Sequence, residues 1–371
     1  TQSSREFFKL WAATMNKLGF EQSPSDPCLF CQGLGDKKLT LCIYVDDGHV
    51  LGKKIEILKF FEQVKATGMN ITTEASMGDC LSCEVLFNED RTKGWLGQPH
   101  MIKKIKRAFG EAVEKLPKCR TPGTPGVGLV RPKEEEKLAS IEEQHTMRSG
   151  TGMLLYLVKH SRPDIANAVR ELTKCLIGAH PAAMKEMYRV IKFVLETQSM
   201  GLRLEPKMEG TKIVFLLQGY CDSDWAGDKD NRKSISGFML LFCGVLIMWR
   251  SKQQVSVALS SAEAEFVSVG ELAKEICFVI QILLSIGIPV QMPVTIMVDN
   301  MGAIFMSKNA TSSSRTRHMD VKWRYVNDLS DDGVIKLVFV RSEYNWSDMQ
   351  TKNVSGDIYD RHAPEFVVPK E

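Results

Sequence analysis

Apolar residues recur at helical spacing from Phe7 to Leu18, through Phe8, Trp11 and Met15, and Gly19 follows where a helix C-cap belongs. A turn at Ser23–Pro27 leads into a short strand at Cys28–Cys31, and a Gly-rich loop precedes an apolar run, Leu39 to Val50. Ile57–Val64 reads as a helix with Phe60, Phe61 and Val64 on one side, and Leu81–Phe87 as a strand before the turn at Asn88–Gly94. Met101 to Leu116 is amphipathic: Ile102, Ile105, Phe109, Val113 and Leu116 make one stripe, while Lys103, Lys104, Lys106 and Arg107 lie on the other face. That basic face fits either a solvated surface or a contact to nucleic-acid phosphates.

Lys118–Lys137 has the prolines, glycines and charge run of a linker, and Thr146–Thr197 is mostly helical. Gly201–Lys207 marks a second boundary. Beyond it the pattern predicts strands at Ile213–Cys221, in a hairpin over Gly237–Trp249 turning near Gly244, at Val255–Leu259, at Val294–Val298 and at Val334–Val340. Helices are expected at Ala262–Ser285 and near Trp346–Lys352. The fold class is therefore α+β or α/β, with a five-stranded mixed sheet and packed helices in the last part. The expected partition is 1–117, 118–205 and 206–371.

Composition adds little to this except in charge. The 371 residues are 44% hydrophobic and 25% charged, ordinary for a globular chain. Residues 1–205 carry 30 Lys and Arg against 25 Asp and Glu, and residues 206–371 carry 18 against 20. The basic excess of the first part favours a polyanionic partner. No run reaches about 18 apolar residues and no signal segment is visible, so an intracellular, cytoplasmic protein without a membrane partner is expected. Ten cysteines are scattered. The C-x-x-C pairs Cys28/Cys31 and Cys80/Cys83 are too far apart in sequence for a zinc ribbon, and free thiols are expected.

The candidate chemistry is carboxylate chemistry. Asp46 and Asp47 end an apolar run and precede Gly48, an arrangement that fits a buried strand with an Asx-type turn or a divalent-metal site. A second set lies downstream: Asp222 ends the first strand of the last region, Glu263 opens its long helix, Asp299 ends its fourth strand, and Asp348 sits in the final helix. Each alone could cap a helix or begin a turn. Four in this order fit a two-metal hydrolase.

The boxes around these acids resemble the pol polyprotein of copia-type LTR retrotransposons, over nearly the whole chain. LGFEQSPSDPCLF at Leu18–Phe30, IYVDDG at Ile43–Gly48, Leu96–Gly110 and Arg148–Val169 resemble reverse-transcriptase boxes. GYCDSDWAGD at Gly219–Asp228, RKSISG at Arg232–Gly237, ALSSAEAEF at Ala258–Phe266, VDNMGAI at Val298–Ile304, SRTRHMD at Ser314–Asp320 and WSDMQTK at Trp346–Lys352 resemble ribonuclease H boxes. The chain departs from them at Gly97 for Ser, Ser82 for Gly and Ala262 for Thr.

The resemblance implies a partial palm and a helical thumb or connection, then a ribonuclease H-like domain. It implies polymerase acids at Asp46 and Asp47, and ribonuclease H acids at Asp222, Glu263, Asp299 and Asp348. His318 and Asp320 are auxiliary residues, Asp320 being the second choice for the fourth carboxylate. The implied cofactor is Mg²⁺ at a two-metal site, with Mn²⁺ as the alternative. Implied partners are RNA–DNA hybrid, template–primer nucleic acid and upstream polyprotein segments. The third polymerase acid is expected upstream of Thr1. Polymerisation thus needs the missing part, whereas hydrolysis of RNA in hybrids does not. The alternative expectation is a decayed or host-retained fragment that acts as a nucleic-acid-binding or interaction module.

Overall fold

The computed structural model describes residues 2–45, 47–74, 78–132, 138–210, 212–308 and 320–370. Two compact units divide the chain, Thr1–Met77 with Cys277–Val290, and Gly78–Ile276 with Gln291–Glu371.

In the first unit, α1 (Gln2–Lys17) ends at Gly19, whose φ of +83° is the left-handed conformation open to glycine at a helix end. Strands β1 (Glu21–Gln22), β2 (Leu29–Gln32), β3 (Leu39–Tyr44) and β4 (Asp47–Gly52) form an antiparallel sheet in that order, and α2 spans Lys54–Ala66. Period-two burial puts Leu39, Leu41 and Ile43 of β3 into a core with Trp11, Met15, Phe20, Phe30, Phe60 and Val64. The apolar run from Leu39 ends as a strand at Tyr44 and returns through a tight hairpin: Tyr44 pairs with Asp47, and Val45 turns with φ 58°.

The second unit begins with β5 (Asp79–Cys80), β6 (Cys83–Phe87) and β7 (Gly94–Gly97), followed by α3 (Pro99–Glu114), α4 (Ile141–His160), α5 (Ala166–Thr173) and α6 (Pro181–Glu196). Strand β8 (Met200–Leu204) pairs with β7 on one side and with the last strand of the chain on the other. After the short hairpin of β9 (Met208–Glu209) and β10 (Lys212–Ile213) come β11 (Leu217–Asp224), β12 (Ile235–Phe242) and β13 (Val245–Gln253). Next are α7 (Ser261–Ser285, within this unit to Ile276), β14 (Val294–Val298), α8 (Met301–Lys308), α9 (Asp320–Asp331) and β15 (Ile335–Phe339). The chain closes with α10 (Asp348–Thr351), α11 (Gly356–His362) and β16 (Val367–Pro369).

The main sheet runs β13-β12-β11-β14-β15. Strands β11, β12 and β13 are antiparallel neighbours, whereas β14 lies parallel to both β11 and β15. The sheet is mixed and five-stranded, as the pattern predicts, but its third strand is not Val255–Leu259. The hairpin extends to Gln253, opposite Ile235, and already occupies the sheet edge. Residues 255–259 have no strand partner, and Val255 and Leu259 are 81% and 71% exposed. Apolar composition there did not mean burial.

The breaks expected after 117 and 205 do not separate compact units. One apolar cluster joins Ile105 and Phe109 of α3, Leu154 of α4, Val190 of α6, Met239 of β12 and Val367 of β16. The linker-like stretch is packed as well: Thr121 and Leu129 are buried, and the Thr124 hydroxyl donates to Glu186 Oε1 at 2.7 Å. A buried ion pair fastens the same region. Arg162 donates through Nε and Nη2 to the Asp164 carboxylate at 2.9 and 2.8 Å, and the Tyr359 hydroxyl of α11 donates to Asp164 Oδ2 at 2.8 Å.

Candidate metal-binding acidic site

Strand β11 lies at the centre of the main sheet, which buries Asp222 near its end. Its parallel neighbour β14 stops at Val298, so Asp299 emerges at the same end of the sheet. Glu265, in the first turns of α7, completes the group: carboxylate oxygens of Asp222, Glu265 and Asp299 all lie within 4.8 Å of one another. Asp222 and Glu265 are each 4% exposed. Glu265 Oε1 accepts the Ser223 N–H at 3.0 Å.

Helix α10 closes the other side. Gly237 on β12 lies opposite Asp222 in register, and a Cβ there would come within 2.6 Å of the Thr351 methyl and 2.7 Å of Gln350 Cβ. Glycine at 237 thus lets α10 lie directly on the sheet. The approach allows the Thr351 hydroxyl to donate to Asp222 Oδ2 and brings in Asp348, which is 5% exposed. Asn345 anchors the segment by donating from Nδ2 to the Cys221 carbonyl at 2.9 Å.

The electrostatics show crowded like charge. Burial, then Asp222 and Asp299, push the Glu265 carboxyl up to about 10. Burial, then Asp222, raise Asp348 to about 7, and burial is the main cause of the upward shift of Asp299. Glu265 Oε2 and Asp348 Oδ1 are buried with no hydrogen-bond partner among the described residues. A divalent cation relieves both conditions. The donor set is all oxygen, and its spread suits ligands on opposite sides of an ion at about 2.0–2.6 Å from each. Asp222, Glu265 and Asp299, with Asp348 beside them, fit such an ion.

The expected acids are therefore placed unequally. Asp222 and Asp299 come together and Asp348 lies next to them. Glu263 does not join: its Oε2 accepts the Leu259 N–H at 2.8 Å while its own N–H donates to Ser260 Oγ at 3.2 Å. This is the reciprocal geometry of a helix cap. Glu265 takes the place expected for Glu263. The signal was present in ALSSAEAEF, because Ser260 three residues before Glu263 marks the first glutamate as a cap, while the second stands among Ala264, Phe266 and Val267. Asp224 was also overlooked; burial is the main cause of the rise in its carboxyl pKa.

Asp46 and His318 lie outside the described residues, as does the side chain of Asp320, the first residue of α9. Asp47 is exposed at the start of β4 and belongs to no carboxylate cluster among the described residues. Lys103, Lys104, Lys106 and Arg107 are exposed on α3 and make no ion pair among the described residues. No described cysteine joins a metal-compatible group, and no described helix is long and apolar enough to cross a membrane.

No family model matches the chain. The retrovirus-related Pol polyprotein from transposon TNT 1-94 of Nicotiana tabacum is 28% identical over 364 residues, 95% of this chain and 26% of that polyprotein. Secreted RxLR effector protein 161 of Plasmopara viticola is 39% identical over 128 residues, 34% of this chain and 86% of that protein. Among solved structures, LC11-RNase H1, isolated from compost by a metagenomic approach, superposes with a TM-score of 0.30 at 11% identity, covering 40% of this chain and 98% of that one. Over 95% of its length the chain is similar to retrovirus-related Pol polyproteins of plant transposons. It spans about a quarter of the length of the Pol polyproteins it matches.

Proposed function

We propose that the second unit is a divalent-metal-dependent ribonuclease H that cuts the RNA strand of RNA–DNA hybrids within a copia-type element. The observation that carries this reading is the buried group of Asp222, Glu265 and Asp299 at one end of a mixed sheet ordered β13-β12-β11-β14-β15. Asp222, Glu265, Asp299 and Asp348 would hold Mg²⁺ or Mn²⁺. When bound, the metal supplies a nucleophilic water and neutralises charge on the phosphate. The chain's own residues do the rest: Thr351 orients Asp222, the Ser223 N–H orients Glu265, and α10 keeps one side of the group closed to water. Selection of hybrid rests on duplex shape and the 2′-hydroxyl rather than on base sequence. The exposed Lys103, Lys104, Lys106 and Arg107 give α3 a surface for backbone phosphates.

The first unit is read as the palm hairpin of an RNA-directed DNA polymerase, with Asp46 and Asp47 as two of its acids and the upstream polyprotein as supplier of the rest. Template–primer nucleic acid is the partner of that longer protein. A second reading, a non-catalytic module, draws support from the Plasmopara viticola relative, named as a secreted effector, which matches only a third of this chain.

The deciding measurement is Mg²⁺-dependent cleavage of a labelled RNA–DNA hybrid by the wild type and by Asp222→Asn. Cleavage by the wild type alone is expected. Equal cleavage by both removes Asp222 from the mechanism, and no cleavage by either favours the non-catalytic reading.

A further inference from the structure

Four carboxylates converge in the acidic site, and among the described residues one cation is ion-paired to them. Lys352, the C-cap of α10, places Nζ 3.0 Å from Asp348 Oδ2. Among the described residues Asp222, Glu265 and Asp299, whose oxygens form the metal-sized group, make no ion pair. Asp348 stands apart from that group: one carboxylate oxygen is held by Lys352, and the other is buried with no partner among the described residues. The Lys352 side chain is 46% exposed, so its ammonium sits between the buried acids and solvent. Asp222 and Asp224 act on it from the sheet, in addition to Asp348.

We propose that Lys352 is a built-in counter-ion occupying a cation's place beside Asp348. The site then binds one divalent ion tightly on Asp222, Glu265 and Asp299, and takes a second only by displacing the Lys352 ammonium. This rests on the metal-site reading above. The geometry supports it: the ammonium already pairs with Asp348, the one acid of the four that lies outside the metal-sized group. Like charges a few ångströms apart repel strongly even in a partly solvated site. The lysine also keeps Asp348 from standing as an uncompensated buried charge before any metal arrives.

The test is calorimetric titration of the full chain with Mn²⁺ alone, without nucleic acid, for the wild type, Lys352→Met, Lys352→Arg and Asp222→Asn. The wild type is expected to bind one ion tightly and a second weakly. Lys352→Met should tighten the second ion by about tenfold or more. Lys352→Arg, which keeps the charge, should behave as the wild type, and this separates charge from packing. Thermal unfolding of Lys352→Met should show a larger stabilisation by Mn²⁺ than the wild type shows. A second-ion affinity unchanged in Lys352→Met overturns the inference and leaves the metal site standing. Wild-type binding no tighter than that of Asp222→Asn overturns the metal site itself, and the inference with it.

Discussion

Two stretches of this chain end an apolar strand in carboxylates, and the fold treats them in opposite ways. In the first unit, β3 runs into a tight turn, and Asp47 emerges exposed on the returning strand β4. In the second, β11 delivers Asp222 into the sheet interior, where β14, α7 and α10 bring Asp299, Glu265 and Asp348 to meet it. Local sequence is similar in the two places. The difference is that a hairpin supplies only its own residues, whereas a central strand with a parallel neighbour gathers residues from several segments. An exposed carboxylate keeps its hydration. Buried ones repel one another and leave oxygens unpartnered, which is the condition that calls for a cation.

That contrast can be tested hardest at the buried acids. Asp222→Asn or Glu265→Gln should reduce hybrid cleavage by at least about a hundredfold, since each removes a charge aimed at the metal. Retention of full activity by Glu265→Gln would falsify the assignment of this residue over Glu263. A control inside the same unit, away from the acids, is His362. Its ring is buried with both nitrogens unpartnered among the described residues, and burial, then Arg361, depress its pKa. The folded state therefore holds it neutral, while the unfolded chain protonates near pH 6.5. The stability it allows is complete above about pH 6.5 and declines as pH falls toward the depressed folded value, by up to about 1.4 kcal/mol per pH unit. Urea melts of wild type and His362→Phe between pH 7 and 5 should show a shallower slope in the variant. Parallel slopes would mean that His362 takes up its proton equally in the folded and unfolded states.

Smaller effects are expected at the two acids that the fold leaves outside. Glu263→Ala should cost about 1 kcal/mol of stability through the lost α7 cap, read as a shift in the urea midpoint, with hybrid cleavage unchanged. Asp47→Asn should change stability by less than about 0.5 kcal/mol and leave hybrid cleavage untouched. A loss of cleavage in Asp47→Asn would erase the distinction between the two acid-bearing stretches.

Much of the architecture was legible beforehand because its signals are local. The stripe of Ile102, Ile105, Phe109 and Val113 specified α3, and those residues are buried. Gly19 marked the end of α1, and the strand pattern after Ile213 anticipated five strands and a long helix. Val255–Leu259 misled because β-branched composition signals strand propensity, while pairing depends on an open partner edge, and β13 had already taken it. The glutamates of ALSSAEAEF differ by two positions on a helix, so both could not face the sheet. Ser260 held the key to choosing between them.

By itself the sequence determined which segments become helices and strands, which acids end strands, and which polyproteins the chain resembles, because each of these is written in contiguous residues. Tertiary structure alone decided that Glu265 and not Glu263 meets Asp222 and Asp299, that Lys352 rests on Asp348, and that residues on both sides of positions 117 and 205 share one core. Those outcomes depend on how strands pair and how closely α10 can approach Gly237. They are distances between residues far apart in the chain, which periodicity along it cannot encode.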